Sequence, residues 1–204
     1  MAGNIDFYFD YSSPYGYLAS ERIEALAERH GRSVVWRPIL LGFIFKVSKQ
    51  APLTEAPLKG EYSIMDFARS SREHKIAYQH PQQFPIGAVA ASRATLWSRN
   101  HPDAAVNEKT GAFVHAIYRA YFVEGKDITE AASLSEIANA TGLDGDLMIA
   151  ALSEQSIKDA LKNEVGSAID TGIFGSPTMV VDGEQFWGHD RMEQLDRWLA
   201  TGGW

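Results

Sequence analysis

The chain has 204 residues, of which 45% are hydrophobic and 22% charged, with a net charge of −7; this suits one globular domain, or one with a large insertion, and disfavours a nucleic-acid partner. It has no cysteine, which excludes disulfides, thiolate metal sites and a protein-borne redox dithiol, and its six histidines show no metal-binding spacing. No apolar run is long enough to span a bilayer or to form a signal-peptide core, so we expect no membrane partner and a cytoplasmic location.

The N-terminal segment predicts a strand, a helix and a second strand. Residues 5–11 are aromatic-rich and short, as in a buried strand. The pair Ser13-Pro14 signals a helix start, because serine caps helices and proline suits the first helical position. An apolar stripe carries this helix to His30, and residues 33–38 have the pattern of the next strand. We expect a right-handed crossover between two parallel strands.

The middle of the chain, from about residue 58 to 171, shows no convincing strand pattern. Its apolar spacing predicts helices over 62–80, 87–100, 108–123, 133–141, 145–152 and 159–169. We therefore expect this part to be all-helical.

The C-terminal part returns to strands. Residues 178–181 and 185–187 flank Asp182-Gly183, which is a two-residue hairpin signal. A last helix is predicted to begin at Gly188. The predicted order is β-α-β, a helical block, then β-β-α.

This order of elements resembles the DsbA-like branch of the thioredoxin superfamily. In that branch the first strand leads to a C-P-x-C motif, and here the same place reads Ser13-Pro14-Tyr15-Gly16. The run F-D-Y-S-S-P-Y-G-Y-L is similar to that of the 2-hydroxychromene-2-carboxylate isomerases and the related kappa-class glutathione transferases. The resemblance implies an α/β, thioredoxin-like fold in which residues 1–45 and 172–204 form one discontinuous domain. Residues 46–171 are then a helical insertion domain with its connecting loops.

In both families the serine before the proline is catalytic, which implies that role for Ser13. A helix N-terminus favours an anion, and a thiolate placed there has a lowered pKa. Glutathione brings the sulfur, and the Ser13 hydroxyl can donate a charge-assisted hydrogen bond to it. The alternative is that Ser13 merely caps the helix, as a serine in an isolated Ser-Pro pair commonly does.

A second motif, Gly175-Ser176-Pro177, lies directly before the hairpin. The resemblance to thioredoxin folds predicts a cis peptide bond between Ser176 and Pro177, facing the first helix. The backbone N–H and C=O of Ser176 are then expected to pair with the cysteinyl backbone of glutathione, like one rung of an antiparallel ladder. The alternative is a trans proline that opens an edge strand.

A third motif, Gly188-His189-Asp190-Arg191, resembles the G-[SN]-D-R run of both families. The resemblance implies that the amides of His189 and Asp190 bind the γ-glutamyl carboxylate, and that the Asp190 carboxylate binds the ammonium group. His189 departs from the Ser or Asn of the family. The alternative for Asp190 is an ordinary helix cap.

Two further residues are implied to bind glutathione. Lys59 belongs to a K-G-x-Y run like that of the kappa class, where the lysine reaches the glycine carboxylate. Gln50 aligns with a kappa-class asparagine. For the acceptor pocket we expect aromatic residues, which could equally be packing residues: Tyr15, Phe43, Phe84 and Trp97.

Three functions follow from these motifs. The resemblance implies a homodimeric isomerase that interconverts 2-hydroxychromene-2-carboxylate and trans-o-hydroxybenzylidenepyruvate, with glutathione as cofactor and a small aromatic substrate. The thiolate adds to the conjugated carbon, the ring opens and the former double bond rotates before the thiolate leaves. A kappa-like transferase or peroxidase uses the same thiolate but consumes glutathione. The third function is a non-catalytic binding or chaperone module that has lost its dithiol.

Overall fold

The computed structural model describes residues 3–204, and its centre is a four-stranded mixed sheet. The strands are β1 (Ile5–Phe9), β2 (Val34–Pro38), β3 (Thr178–Val181) and β4 (Glu184–Trp187), in the order β2-β1-β3-β4. β1 and β2 are parallel, whereas β3 is antiparallel to both β1 and β4. The predicted thioredoxin-like order of elements is confirmed, including the two-residue hairpin.

Ten α-helices accompany the sheet in the described chain: α1 (Pro14–Arg29), α2 (Leu41–Ser48), α3 (Lys59–Glu73), α4 (Val89–Arg99), α5 (Ala104–Asn107), α6 (Thr110–Phe122), α7 (Ala131–Ala140), α8 (Gly145–Ala151), α9 (Gln155–Asp170) and α10 (Met192–Thr201). Short 3-10 turns lie at Leu53–Glu55 and His189–Arg191. Within residues 3–204, no helix is both long enough and apolar enough to cross a bilayer.

Strand β1 is buried on both faces of the sheet. Phe7 and Phe9 point to one face and contact the ring of Trp36 edge-on, at 5.3 and 5.8 Å between ring centroids. Tyr8, which alternates with them, packs in a second buried cluster with Ile39, Ile44, Ala168 and Ile173. A strand covered on both sides has no polar face, which explains its aromatic-rich sequence.

The helix predicted over 62–80 is wrong in its last seven residues, because α3 ends at Glu73. The apolar residues that suggested a longer helix, Ile76 and Tyr78, belong to an irregular segment packed against the main core. Backbone bonds fix this segment: the Gln79 N–H donates to the C=O of Phe122 at 2.7 Å, and the C=O of Ala77 accepts from the Tyr17 hydroxyl.

Two boundaries also differ from expectation. Helix α2 follows β2 directly and was not predicted, so the domain boundary proposed at residue 45 falls inside it. The last helix was predicted to begin at Gly188; a 3-10 turn over His189–Arg191 comes first, and α10 starts at Met192. The division into two domains stays a prediction.

Candidate functional site

Ser13 caps the first helix. Its Oγ accepts a hydrogen bond from the Gly16 N–H at 3.0 Å, and Pro14 occupies the first helical position. The helix has 16 residues and carries no acidic side chain in its first turn. The aligned peptide dipoles therefore leave a partial positive charge at Ser13 that no neighbouring carboxylate of that turn neutralises.

Ser13 also contacts the second predicted motif. Its hydroxyl donates to the backbone C=O of Ser176 at 3.0 Å, although the two residues are 163 positions apart. The Ser176–Pro177 peptide bond is cis, which confirms that prediction and makes the trans alternative wrong. Ser13 is 6% exposed, so this contact lies just below the surface. The N-terminus of α1 and the Gly175-Ser176-Pro177 motif thus meet at the Ser13 hydroxyl.

The close approach of these segments requires a residue without a side chain at position 16. A Cβ on Gly16 would lie 2.7 Å from the Tyr118 Oη and 2.9 Å from the Ser176 Oγ. Tyr118 donates its hydroxyl to the backbone C=O of Asp10 at 3.0 Å, and the Asp10 N–H donates to the Ser176 Oγ. No local sequence pattern indicates Tyr118, because this residue reaches the site from α6.

His189 lies flat against Tyr15. Their rings stack at 4.7 Å with an interplanar angle of 10°, and His189 is 8% exposed. Burial lowers the pKa of His189, so its ring is neutral near pH 7. Its buried Nδ1 has no hydrogen-bond partner among the described residues. Tyr15 donates its own hydroxyl to Asp66 of α3 at 2.5 Å, and burial raises the pKa of Tyr15.

Asp190 follows His189 in the 3-10 turn and directs its carboxylate outward, with 62% of the side chain exposed. Gly188, at the start of this turn, has a φ of 112°, and a Cβ there would collide with the Asp190 Oδ1. The turn therefore presents an accessible carboxylate beside the Tyr15–His189 stack. The amides of His189 and Asp190 lie in the 3-10 turn that precedes α10, and not in the first turn of the helix itself as the sequence predicts.

Lys59 and Gln50 lie on the segment that joins the sheet to α3. Gln50 follows α2 and is exposed, and Lys59 is the exposed first residue of α3. Seven residues further along this helix, Asp66 contacts Tyr15, which places Lys59 about 10 Å from that contact along the helix axis. Their predicted contacts with glutathione stay predictions.

The four predicted pocket residues do not form one group. Tyr15 begins a row of rings that passes through Phe67 and His80 to Phe84, with successive centroid distances of 4.8, 6.4 and 4.9 Å. Phe43 lies on α2 and is 55% exposed. Trp97 lies on α4, packs against the main core and contacts His101. The aromatic row is therefore the part of the predicted pocket that is connected to Ser13's helix.

Metal-binding side chains do not cluster here. Across residues 3–204, no group of three or more His, Asp or Glu side chains is placed to hold an ion.

Comparisons with known proteins agree on the fold and on two groups of relatives. A 2-hydroxychromene-2-carboxylate isomerase of Sphingobium xenophagum is 29% identical over 201 residues, covering 98% of this chain and 99% of the relative. Glutathione S-transferase kappa 1 of Rattus norvegicus is 26% identical, covering 96% of this chain and 92% of the relative. These relatives are isomerases and glutathione transferases, and their similarity supports the conclusion that this chain is an enzyme.

Two solved structures extend the comparison. A 2-hydroxychromene-2-carboxylate isomerase matches with a TM-score of 0.82 at 25% identity, covering 97% of this chain and 94% of that one. The cytosolic disulfide reductase DsbM of Pseudomonas aeruginosa, solved with GSH, matches in fold with a TM-score of 0.67 at 16% identity, covering 97% and 96%. The model of the DsbA-like thioredoxin domain matches residues 4–200, and the chain therefore belongs to that family.

Proposed function

We propose that this protein is a glutathione-dependent isomerase of 2-hydroxychromene-2-carboxylate or a related intermediate of aromatic degradation. The observation that carries the proposal is the position of the Ser13 hydroxyl, at the positive end of α1 and 3.0 Å from the C=O of the cis-proline turn. The isomerase relatives, which match nearly the whole chain, support the choice of reaction.

The residues at this point fit a thiol tripeptide. Ser13 has one hydroxyl hydrogen, which the Ser176 C=O now accepts. An incoming cysteinyl N–H at Ser176 can replace that donor, and the Ser13 hydroxyl is then free to turn towards the sulfur. After this exchange the Ser176 carbonyl still accepts a hydrogen bond, and the Ser13 hydroxyl donates to the sulfur anion instead.

Glutathione, when bound, would supply a thiolate whose addition to a conjugated carbon turns the double bond into a single bond that can rotate, and whose departure restores the double bond. The chain's own part is to hold that sulfur ionised, through the Ser13 hydroxyl and the N-terminus of α1. Ser176 and Pro177 hold the cysteinyl backbone, the turn at His189 and Asp190 holds the γ-glutamyl end, and Gln50 and Lys59 hold the glycine end. The aromatic row from Tyr15 to Phe84 is the proposed wall for the aromatic substrate. Phe43 and Trp97, which lie apart from this row, are separate candidates for the pocket.

A kappa-like transferase or peroxidase is the second candidate. The match with the rat kappa-class relative covers 92% of that protein's length. The same ionised sulfur can serve both reactions. In that case glutathione is consumed. For either enzyme we propose a homodimer in the cytoplasm, where glutathione is kept reduced.

The stoichiometry of glutathione separates these functions. The protein is given 2-hydroxychromene-2-carboxylate with a small amount of glutathione, and both the isomer ratio and the free thiol are followed. We expect many turnovers per glutathione with a constant thiol titre. A thiol loss equal to product, with this substrate or a generic electrophile, identifies the transferase. If glutathione neither supports turnover nor raises the melting temperature, both enzyme functions are wrong and a non-catalytic module remains.

A further inference from the structure

Asp10 directly follows β1 and lies three residues before Ser13, in the turn that leads into α1. Asp10 is 4% exposed, and its carboxylate accepts three hydrogen bonds. The N–H and the hydroxyl of Ser12 both donate to Oδ1 at 2.8 Å, and the N–H of Leu41 donates to Oδ2 at 2.7 Å. Burial raises the pKa of Asp10, and these three donors lower it again in part.

The two oxygens of this carboxylate connect different parts of the molecule. Oδ1 fixes the turn that carries Ser13, and Oδ2 fixes the first N–H of α2. The residue at the N-cap position of α2 is Leu40, which makes no capping hydrogen bond with its side chain. Asp10 therefore caps α2 from the turn after β1, 31 positions earlier in the chain, in place of a local Ser, Thr, Asp or Asn cap.

The segment from the start of α2 to the start of α3, residues 41–59, has few buried side chains to hold it in place; we call it the α2 segment. Ile44 is the buried residue of α2, and the 3-10 turn Leu53–Glu55 has none. Several of its apolar side chains face solvent, including Phe43, Val47 and Leu58. A segment with so little buried surface unfolds locally at a small cost in free energy. The hydrogen bond between the Leu41 N–H and Asp10 at its start is therefore important for holding it in place.

We propose that Asp10 is a positioning residue. It holds the α2 segment, and with it Gln50 and Lys59, at a fixed position relative to Ser13. Its action on glutathione is indirect, through the N–H of Leu41. The inference rests on the proposed function, in which Ser13 binds the sulfur of glutathione and Gln50 and Lys59 bind its glycine end. Asp10 then sets the distance between these two parts of the site.

The substitution Asp10→Asn tests this assignment because it divides the two roles. An amide oxygen can keep both donors of Ser12, but the NH2 group then faces the Leu41 N–H and cannot accept from it. We expect the Kd for glutathione to rise about 5- to 20-fold, while kcat at saturating glutathione stays within about twofold. Asp6→Asn, in the strand that leads to Asp10, is the matched control and leaves the Kd unchanged.

The substitution Leu41→Pro removes the same hydrogen bond from the other side. Proline is favoured at the first position of a helix and Leu40 has the extended backbone that precedes proline, so α2 itself is retained. Leu41→Ala, which keeps the N–H and loses the side chain, is its control. We expect the rise in Kd for Leu41→Pro to match that of Asp10→Asn and to exceed that of Leu41→Ala.

The outcomes decide between this inference and the proposed function. If the unaltered protein binds glutathione but Asp10→Asn and Leu41→Pro keep its Kd, Asp10 has no positioning role. A fall in kcat and melting temperature with an unchanged Kd also overturns the inference, because it shows a purely structural residue. If the unaltered protein does not bind glutathione, the proposed function is wrong and this inference is wrong with it. Should Asp10→Asn fail to fold, the Leu41 pair decides alone.

Discussion

The hydroxyl of Ser13 donates a hydrogen bond to the backbone carbonyl of Ser176 across 3.0 Å. A serine hydroxyl has a single hydrogen, so this bond and a bond to a sulfur anion exclude one another. The contact therefore describes the resting arrangement of the proposed site. Its replacement by an incoming N–H donor would couple the binding of the tripeptide backbone to the release of the Ser13 hydroxyl.

Ser13→Ala should reduce turnover by about 10- to 100-fold, the loss expected for one charge-assisted hydrogen bond. The same change removes the cap of α1 and should lower the free energy of unfolding by about 1 kcal/mol. Steady-state kinetics and urea unfolding measure the two effects separately. Ser12→Ala is the control, since it removes a neighbouring hydroxyl that bonds to Asp10. Activity of Ser13→Ala within about twofold of the unaltered protein would mean that Ser13 is only a cap.

Gly16→Ala should destabilise the protein by about 1–3 kcal/mol, as an overpacked core does. In an ordinary helix this change is favourable, but here the new Cβ meets the Tyr118 Oη and the Ser176 Oγ. Gly166→Ala in α9 is the matched control, because a Cβ there has no neighbour within 4 Å, and it should be neutral or stabilising. Urea unfolding of both variants checks this.

A second comparison attributes the cost to the contact with Tyr118. On a Tyr118→Phe background the Tyr118 hydroxyl is gone, so Gly16→Ala should cost less than it does in the unaltered chain. An equal cost on both backgrounds would show that the Tyr118 hydroxyl does not cause the strain.

The sequence was informative wherever the determinant was local. Ser13-Pro14 marked the start of α1, and the resemblance carried by Gly175-Ser176-Pro177 predicted the cis bond. Helix α2 was missed because its cap is not local: Leu40 offers no acceptor, and the carboxylate comes from Asp10, 31 positions before Leu41.

The same limit applies to the surroundings of the site. Tyr118 and Asp66 reach Asp10 and Tyr15 across 108 and 51 positions of the chain, and no spacing rule relates such pairs. The family resemblance predicts only that the Ser176–Pro177 turn faces the first helix, and the hydrogen bond between Ser13 and Ser176 is seen in the structure alone. Local patterns thus predicted the elements and their order, whereas the packing of side chains between distant elements required the structure.

Asp190→Ala should weaken glutathione binding by about 5- to 20-fold through the loss of an exposed ion pair with the γ-glutamyl ammonium. The stability of the fold should hardly change, because 62% of this side chain is exposed. Titration calorimetry with glutathione gives the Kd, and a glutathione analogue without the amino group provides the control. The analogue should bind both proteins alike. An unchanged Kd for glutathione itself would remove Asp190 from the site.

His115 of α6 should make stability fall as the pH rises from neutral to alkaline. Its Nε2 lies 3.0 Å from Glu24 and its Nδ1 3.6 Å from Glu21, both on α1. Burial lowers the pKa of His115, but the two carboxylates outweigh burial and raise it to about 9. Because the pKa in the folded state exceeds the unfolded value of about 6.5, the stabilisation is complete below pH ~6.5 and is lost as the pH rises through about 9.

We expect that loss to be on the order of 1–3 kcal/mol, since His115 and Glu21 are largely buried between α1 and α6, whereas the half-exposed Glu24 contributes less because solvent screens it. The free energy of unfolding in urea, measured from neutral to alkaline pH for the unaltered protein and for His115→Gln, isolates the contribution. Other groups that titrate in this range act equally on both proteins, so the difference between the two curves should narrow as the pH rises. Parallel curves would show that His115 is neutral in the folded protein, and the two carboxylates of α1 would then need Arg119, which pairs with Glu21, as their main counter-charge.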